Sequence, residues 1–270
     1  MNLDTEALKD KAKRIRFQTI KMLSLAGTGH PGGSLSEVEI LVALYYRQMK
    51  INPSQPKWEE RDRFVLSKGH ANPPLYAILA DLGYFEEQHL WTLRKLGSIL
   101  QGHPDMNKTP GIDYSTGSLG QGFSAAVGMA MAAKAKNAQY HIYTLTGDGE
   151  LQEGLTWEAA MAAAHYKLDN LTVIVDSNRL QIDGKVEDVM SLGDLQAKFE
   201  AFGFAVKRVD GHSFPQIIEA LNYKEKNKPL CILADTIKGK GISYMEDNFT
   251  WHGMVPSGEL LQNALKELEG

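Results

Sequence analysis

Cysteine is nearly missing from this sequence: Cys231 is the only one in 270 residues. No intrachain disulfide can form, and a thiol inside the apolar run "PLCILAD" reads as a small buried hydrophobe. A reducing compartment suits such a chain, so a cytoplasmic location is expected. Net charge is also scarce, at −4. That balance argues against nucleic acid or a membrane surface as a partner. No apolar run is long enough to span a bilayer. Internal repeats and low-complexity tracts are missing too. The N-terminal stretch "MNLDTEALKDKAKRIRFQTIKMLSLAG" lacks the uninterrupted apolar core of a signal peptide. Its Leu8, Ala12, Ile15, Thr19, Met22, Leu23 and Ala26 fall near one helical face. An amphipathic helix packed on a body is the expectation.

A chain of 270 residues buries a large core without covalent staples. One large domain over 1–270 is expected. Short runs rich in Val, Ile and Leu lie at 62–69, 140–149, 170–178, 204–211 and 229–236. They lack clean alternation, as strands covered on both faces do. Helix-like stretches occupy 34–49, 73–82, 120–136, 155–167, 192–202 and 214–225, with one more at the C-terminus. Ser34-Leu-Ser-Glu37 reads as a capping box opening the first of these, and Gly203 as a C-terminal stop. Alternating strands and helices predict an α/β fold: a doubly wound, mostly parallel sheet with helices on both faces. The strand runs end in polar tags: "SKG", "GDG", "DSN", "VDG" and "ADT". Ligands of open parallel sheets bind outside the carboxyl ends of the strands, so these tags would share one rim.

The stretch "TGDGELQEG" (146–154) places Asp148 between two glycines where a strand gives way to a helix. Glycines let the backbone approach a bulky anion, and a helix start offers free N–H groups. A carboxylate beside a phosphate is repelled unless a cation lies between them. Asp148 therefore makes sense as a ligand of a divalent metal that also binds phosphates. Mg²⁺ takes about six oxygens and seldom gets all from protein. Thirty residues on, "VIVDSNRLQIDG" ends at the same rim. Asn178 offers an amide oxygen, and Leu180 a backbone carbonyl if the loop turns back. Four histidines also stand in glycine- or proline-marked loops: His30 in "TGHPGG", His70 in "SKGHAN", His103 in "QGHPD" and His252 in "WHG". Imidazole can polarise a hydroxyl or carbonyl and take a proton near neutral pH. His141 reads as a strand residue and His165 as helix-face packing. His212, in "VDGHSF", has no assigned role beyond a loop-ordering hydrogen bond.

The GDG-to-Asn array is the thiamine-diphosphate-binding signature. The segments "GHPGGSLSEVEIL", "SKGHANPPLYA", "QGHPD", "STGSLGQGFSAAVGMA", "GDGELQEGLTWEAAMAAA", "DSNRLQIDG" and "TIKGKGISYMED…WHG" resemble, in order, the first domain of transketolases. The resemblance covers about residues 20 to 255. It implies that Asp148, Asn178 and the carbonyl of Leu180 hold Mg²⁺, with Ca²⁺ or Mn²⁺ able to substitute. It implies that Gly149 and Asn178 touch the diphosphate, with His70 and Lys238 also on the cofactor. Gly117, Ser118 and Leu119 would line the aminopyrimidine. His30, His103 and His252 would face the reactive carbon and the sugar, and Glu153 would join a carboxylate network across a subunit interface. Two positions depart from the family: Ser118 stands where many members carry proline, and Gly33 where some carry a polar side chain.

The implied activity is transfer of a two-carbon ketol unit from a ketose phosphate to an aldose phosphate, as in the pentose phosphate pathway. In this family a pyrimidine-binding domain supplies the glutamate that faces the cofactor's N1′ and the arginines that grip the sugar phosphate. No such segment follows "WHG" before Gly270. A separate C-terminal transketolase subunit is therefore expected as partner, with sugar phosphates as substrates and an α₂β₂ heterotetramer as the assembly. Alternatives are a split transketolase for an unusual sugar phosphate, a 1-deoxyxylulose-5-phosphate synthase-like or 2-oxo acid dehydrogenase E1-like enzyme, and a non-catalytic cofactor-binding module.

Overall fold

The computed structural model describes residues 3–269. Its strands are β1 (Arg63–Leu66), β2 (Ile142–Gly147), β3 (Leu171–Ser177), β4 (Leu180–Gln181), β5 (Gly184–Lys185), β6 (Ala205–Asp210) and β7 (Leu230–Asp235). Five form one sheet in the order β1-β2-β3-β7-β6, and every pairing in it is parallel. The expected polar tags therefore do share one rim. The two-residue strands β4 and β5 make an antiparallel hairpin just beyond β3, a pairing not expected above although Asp183-Gly184 marks its turn.

Along the chain the helices are α1 (Thr5–Ala26), α2 (Pro31–Ser36), α3 (Val38–Ala43), α4 (Pro73–Asp81) and α5 (Gln121–Ala135). They continue as α6 (Gly154–His165), α7 (Val186–Met190), α8 (Leu195–Ala201), α9 (Phe214–Asn222) and α10 (Gly258–Glu269). Strand alternation sorts them into two layers. Leu230, Ile232 and Ala234 of β7 join Phe64, Tyr143 and Ile174 under α1, α3, α4 and α9. Cys231 and Leu233 point the other way, with Val173 and Val175, under α5, α6 and α8. Each fully buried apolar side chain contributes about 1.5–3 kcal/mol, which is why the central strands carry apolar residues on both faces. A smaller core of Ile20, Leu35, Ile242, Met245, Trp251 and Leu268 anchors the segment after β7 to α1 and α10. Among the described residues no helix is long and apolar enough to cross a membrane.

Several local expectations are corrected. The capping box at Ser34 does not form, because the helix opens earlier, at Pro31 with His30 before it. Proline at the first helical position lacks only a donor that would be orphaned anyway. Ser34 lies inside α2 and donates its hydroxyl to the His30 carbonyl (2.7 Å). Glu37, instead of reaching back, is fully buried against Lys68 and breaks the expected 34–49 helix between α2 and α3. Residues Leu44–Gln48 finish that segment as a π-helical turn. The helix expected from 192 starts at Leu195, where the Asp194 side chain accepts from Ala197 N (3.0 Å). His165 is exposed at the end of α6, its ring edge-on to Tyr166, rather than packed inside. The last residue of the expected C-terminal helix, Gly270, lies outside the described residues, as do Met1 and Asn2.

Candidate active site

The rim is built from four strand ends. After β2, a 3-10 turn (Gly149–Gln152) separates Asp148 from α6, so the helix does not begin directly at the GDG motif. Asp148 is almost fully buried. Its two oxygens accept from the backbone N–H groups of Gly149 (2.8 Å) and Arg179, and no cationic side chain among the described residues is bonded to it. Burial, and then the nearby Asp176, push its pKa up to about 6. A buried carboxylate in that state gains strongly from a metal cation.

After β3 the chain turns back through Arg179, whose φ of 63° lies in the left-handed region. That reversal directs the Leu180 carbonyl inward, where it accepts from the Lys238 ammonium (3.0 Å). A cation thus already rests on this oxygen. The Asn178 amide is fixed at both ends. Its Nδ2 donates to Asp176 (3.0 Å), and its Oδ1 accepts from Leu180 N (3.1 Å). Among the described residues no three His, Cys, Asp or Glu side chains converge as a metal cage. The donors at hand are one carboxylate, one amide and one carbonyl, a hard oxygen set suited to Mg²⁺ with ligand and water oxygens completing it.

Asp176 was not singled out from sequence. It is fully buried and accepts from Ser36 (2.6 Å), Lys68, Thr236 and Asn178. Burial would raise its pKa, but Lys68 outweighs that and holds it low. Lys68 also donates to the Gly33 carbonyl (3.0 Å) and lies 2.8 Å from Glu37, whose carboxyl burial pushes up to about 8 despite that ammonium. Glu150 was missed as well. It accepts from Ser67, Gly120 N (2.8 Å) and Gly147 N (3.1 Å), so one carboxylate joins the ends of β1 and β2 to the 117–120 loop.

The histidines converge. The rings of His30 and His70 are 4.9 Å apart, those of His30 and His252 5.3 Å, and those of His70 and His252 5.5 Å. Lys238 reaches His252 Nδ1 (3.2 Å), which ties the triangle to the Leu180 carbonyl. Burial lowers all three, followed by positive neighbours: His30 to about 4, His252 to about 3, and His70 well below its usual value. All three are neutral at pH 7. His30 Nδ1 is buried without a partner among the described residues. His103 is exposed and stands over Gly117, where an added Cβ would lie 3.5 Å from its ring. Arg94, another residue sequence reasoning passed over, lowers both His30 and His103 after burial does. Its guanidinium makes a long bond to the Gly102 carbonyl (3.4 Å). Gly117, Ser118 and Leu119 lie in a loop pressed on the "SKGH" turn, since a Cβ on Gly69 would be 3.0 Å from Gly117 N. Glu153, expected at a subunit interface, is exposed and heads α6 near Gly120.

A parallel α/β sheet with an acid-amide-carbonyl clamp and imidazoles at its carboxyl rim defines a cofactor-binding enzyme domain. Residues 7–267 match the family described as "Transketolase, thiamine diphosphate binding domain". The chain is 48% identical over 264 residues to "6-deoxy-6-sulfo-D-fructose transketolase subunit SqwG" of Clostridium sp. (strain MSTE9), covering 97% of this chain and 96% of that one. It is 44% identical over 269 residues to one of the subunits of the apulose-4-phosphate transketolase of Phocaeicola vulgatus, covering 98% and 95%. The solved structure of transketolase from Campylobacter jejuni superposes with a TM-score of 0.93 at 38% identity, covering 99% of this chain and 43% of that one. The chain belongs to the transketolase family, in its thiamine diphosphate binding domain. Its activity is that of one component of a thiamine-diphosphate-dependent, ketol-transferring transketolase.

Proposed function

We propose that this chain, folded as one domain, supplies the diphosphate and metal half of a two-subunit transketolase, and that a C-terminal subunit completes the site. The observation that carries this reading is the buried Asp148 carboxylate, bonded among the described residues only to backbone N–H groups, beside the Asn178 amide and the Leu180 carbonyl and next to three neutral histidines. Asp148, Asn178 Oδ1 and the Leu180 carbonyl would hold Mg²⁺, for which Ca²⁺ or Mn²⁺ can stand in. Gly149, Asn178, His70 and Lys238 would meet the diphosphate, and the 117–119 backbone the aminopyrimidine. Lys238, lowered to about 8 by burial and then by Lys68, would balance phosphate charge. Thiamine diphosphate, when bound, supplies the carbon nucleophile and electron sink that breaking a carbon–carbon bond next to a carbonyl requires.

This chain's own residues handle protons and position. His30 and His252, neutral at pH 7, offer a base or an N–H donor to sugar hydroxyls. His103, at the exposed mouth over Gly117, orients the sugar, and burial followed by Arg94 lowers both it and His30. Glu153 stands apart at the head of α6, where a carboxylate contact to a neighbouring subunit is open to it. Relatives named for a sulfonated fructose and for apulose 4-phosphate support a ketose with an anionic terminus as donor. Two copies of each subunit form the assembly, in the cytoplasm. Ketol transfer is assayed with xylulose 5-phosphate, 6-deoxy-6-sulfofructose or apulose 4-phosphate as donor. The paired subunits should turn over at least one donor, and the chain alone none. Appreciable turnover by the chain alone would refute the divided site.

A further inference from the structure

His212 is a histidine to which the sequence assigns no role beyond ordering a loop, and it lies outside the triangle. It sits in the turn after β6, held against the end of β7 by Gly211 N donating to the Asp235 carbonyl (2.8 Å). We propose that Arg16, Glu39 and His212 form a positioning relay that fixes the Ile237–Lys240 turn and through it Lys238 at the diphosphate end of the site. The inference rests on reading Lys238 as a diphosphate ligand.

The relay is continuous, with Arg16 and Glu39 buried and His212 half-buried. Arg16 of α1 meets Glu39 of α3 in a two-pronged pair, both contacts at 2.6 Å. Glu39 accepts from His212 Nδ1 (2.9 Å). His212 Nε2 then accepts from Ile237 N (2.9 Å). Because a backbone N–H can only donate, Nε2 must be unprotonated, and the ring proton lies on Nδ1 facing the carboxylate. Burial alone would raise Glu39, but Arg16 and His212 hold it at about 2, so the acceptor end stays ionised. Arg16 closes the loop from the other side, with its Nε donating to the Lys240 carbonyl (3.0 Å). Lys238 is thus bracketed: its preceding neighbour hangs from His212 and the residue two beyond it from Arg16.

The turn itself leaves little slack. Gly239 N donates to the Gly32 carbonyl (3.0 Å), and Asp247 N to the Lys238 carbonyl (3.0 Å). Gly239 has φ +79°, and a Cβ there would lie 2.3 Å from the Met245 carbonyl. A Cβ on Gly32 would press at 3.0 Å on the Lys238 stem, so that stem runs in a slot cut for it. The side chain then reaches both Leu180 and His252. Outer partners that orient ligands in this way govern affinity without touching the ligand.

Two substitutions separate positioning from packing. In His212→Gln the side-chain oxygen can take the place of Nε2, whereas in His212→Asn the shorter amide reaches only the Nδ1 place. Amide hydrogen exchange is measured on the full chain by NMR. His212→Asn should accelerate exchange at Ile237 about tenfold, with β3 amides unchanged, while His212→Gln stays close to the parent. In the enzyme paired with its partner subunit, His212→Asn should raise KM for thiamine diphosphate about tenfold and leave kcat at saturation within about twofold. Equal exchange in both variants, exchange that rises throughout the sheet, or an unchanged KM overturns the relay. Lack of turnover in the parent pair overturns the functional reading instead, and the exchange result on the free chain still decides whether His212 holds the turn.

Discussion

Three imidazoles whose centroids lie within 5.5 Å of one another cannot all carry charge beside an ammonium. That crowding, with burial, sets the chemistry of the rim at neutral pH: donors and acceptors without net charge on the rings. Its sign can be tested at His252. The folded ring, at about 3, lies below the roughly 6.5 of an unperturbed histidine. Between those values the unfolded chain holds more protons, so this group withdraws stability as pH falls. His252→Asn should therefore gain stability relative to the parent as pH drops from about 6.5 toward 4, in urea titrations at stepped pH. A constant difference across that range would mean the ring is charged in the fold. Three of the four loop histidines, His30, His70 and His252, come together, and glycine or proline marked each of their loops. Asp176, Glu150 and Arg94 were not legible, since one carboxylate in "VIVDSN" reads the same whether it faces solvent or four donors.

Elements were easiest to read where periodicity ran long, as in α1, and hardest where tertiary partners overrode local signals. Ser34–Glu37 carried every local mark of a helix start. The fold instead spends Glu37 on a buried ammonium, a contact with a residue 31 positions away that no window reveals. Glycine within elements shows the same contrast. A Cβ on Gly122, in the first turn of α5, would lie 2.6 Å from the Ser67 Cα, so the helix needs that bare approach to β1. A Cβ on Gly33 would meet nothing closer than 3.9 Å. Gly122→Ala should cost about 2–3 kcal/mol in denaturant unfolding. Gly33→Ala should cost under about 1 kcal/mol. Equal effects at the two positions would contradict the packing described here. The hairpin of β4 and β5 had a turn signal in Asp183-Gly184, but strands of two residues a side carry no periodicity to pair with it.

At the scale of the whole molecule, parallel strands do the gathering. Residues 68–70, 148, 178 and 238 are far apart in sequence, yet each follows a strand, and all the strands of the five-stranded sheet run the same way. One rim therefore receives the ammonium, carboxylate, amide and imidazole together. The polar tags at strand ends predicted that gathering. The arrangement within the rim depended on the Arg179 reversal and the Lys68–Asp176 pair, which only packing defines. The most direct test is a crystal of this chain with its partner subunit, thiamine diphosphate and Mn²⁺, with data collected for manganese anomalous scattering. The expected peak lies among the Asp148 carboxylate, the Asn178 amide oxygen and the Leu180 carbonyl; a peak elsewhere on the rim, with these three groups bonded only to protein, would contradict the assignment.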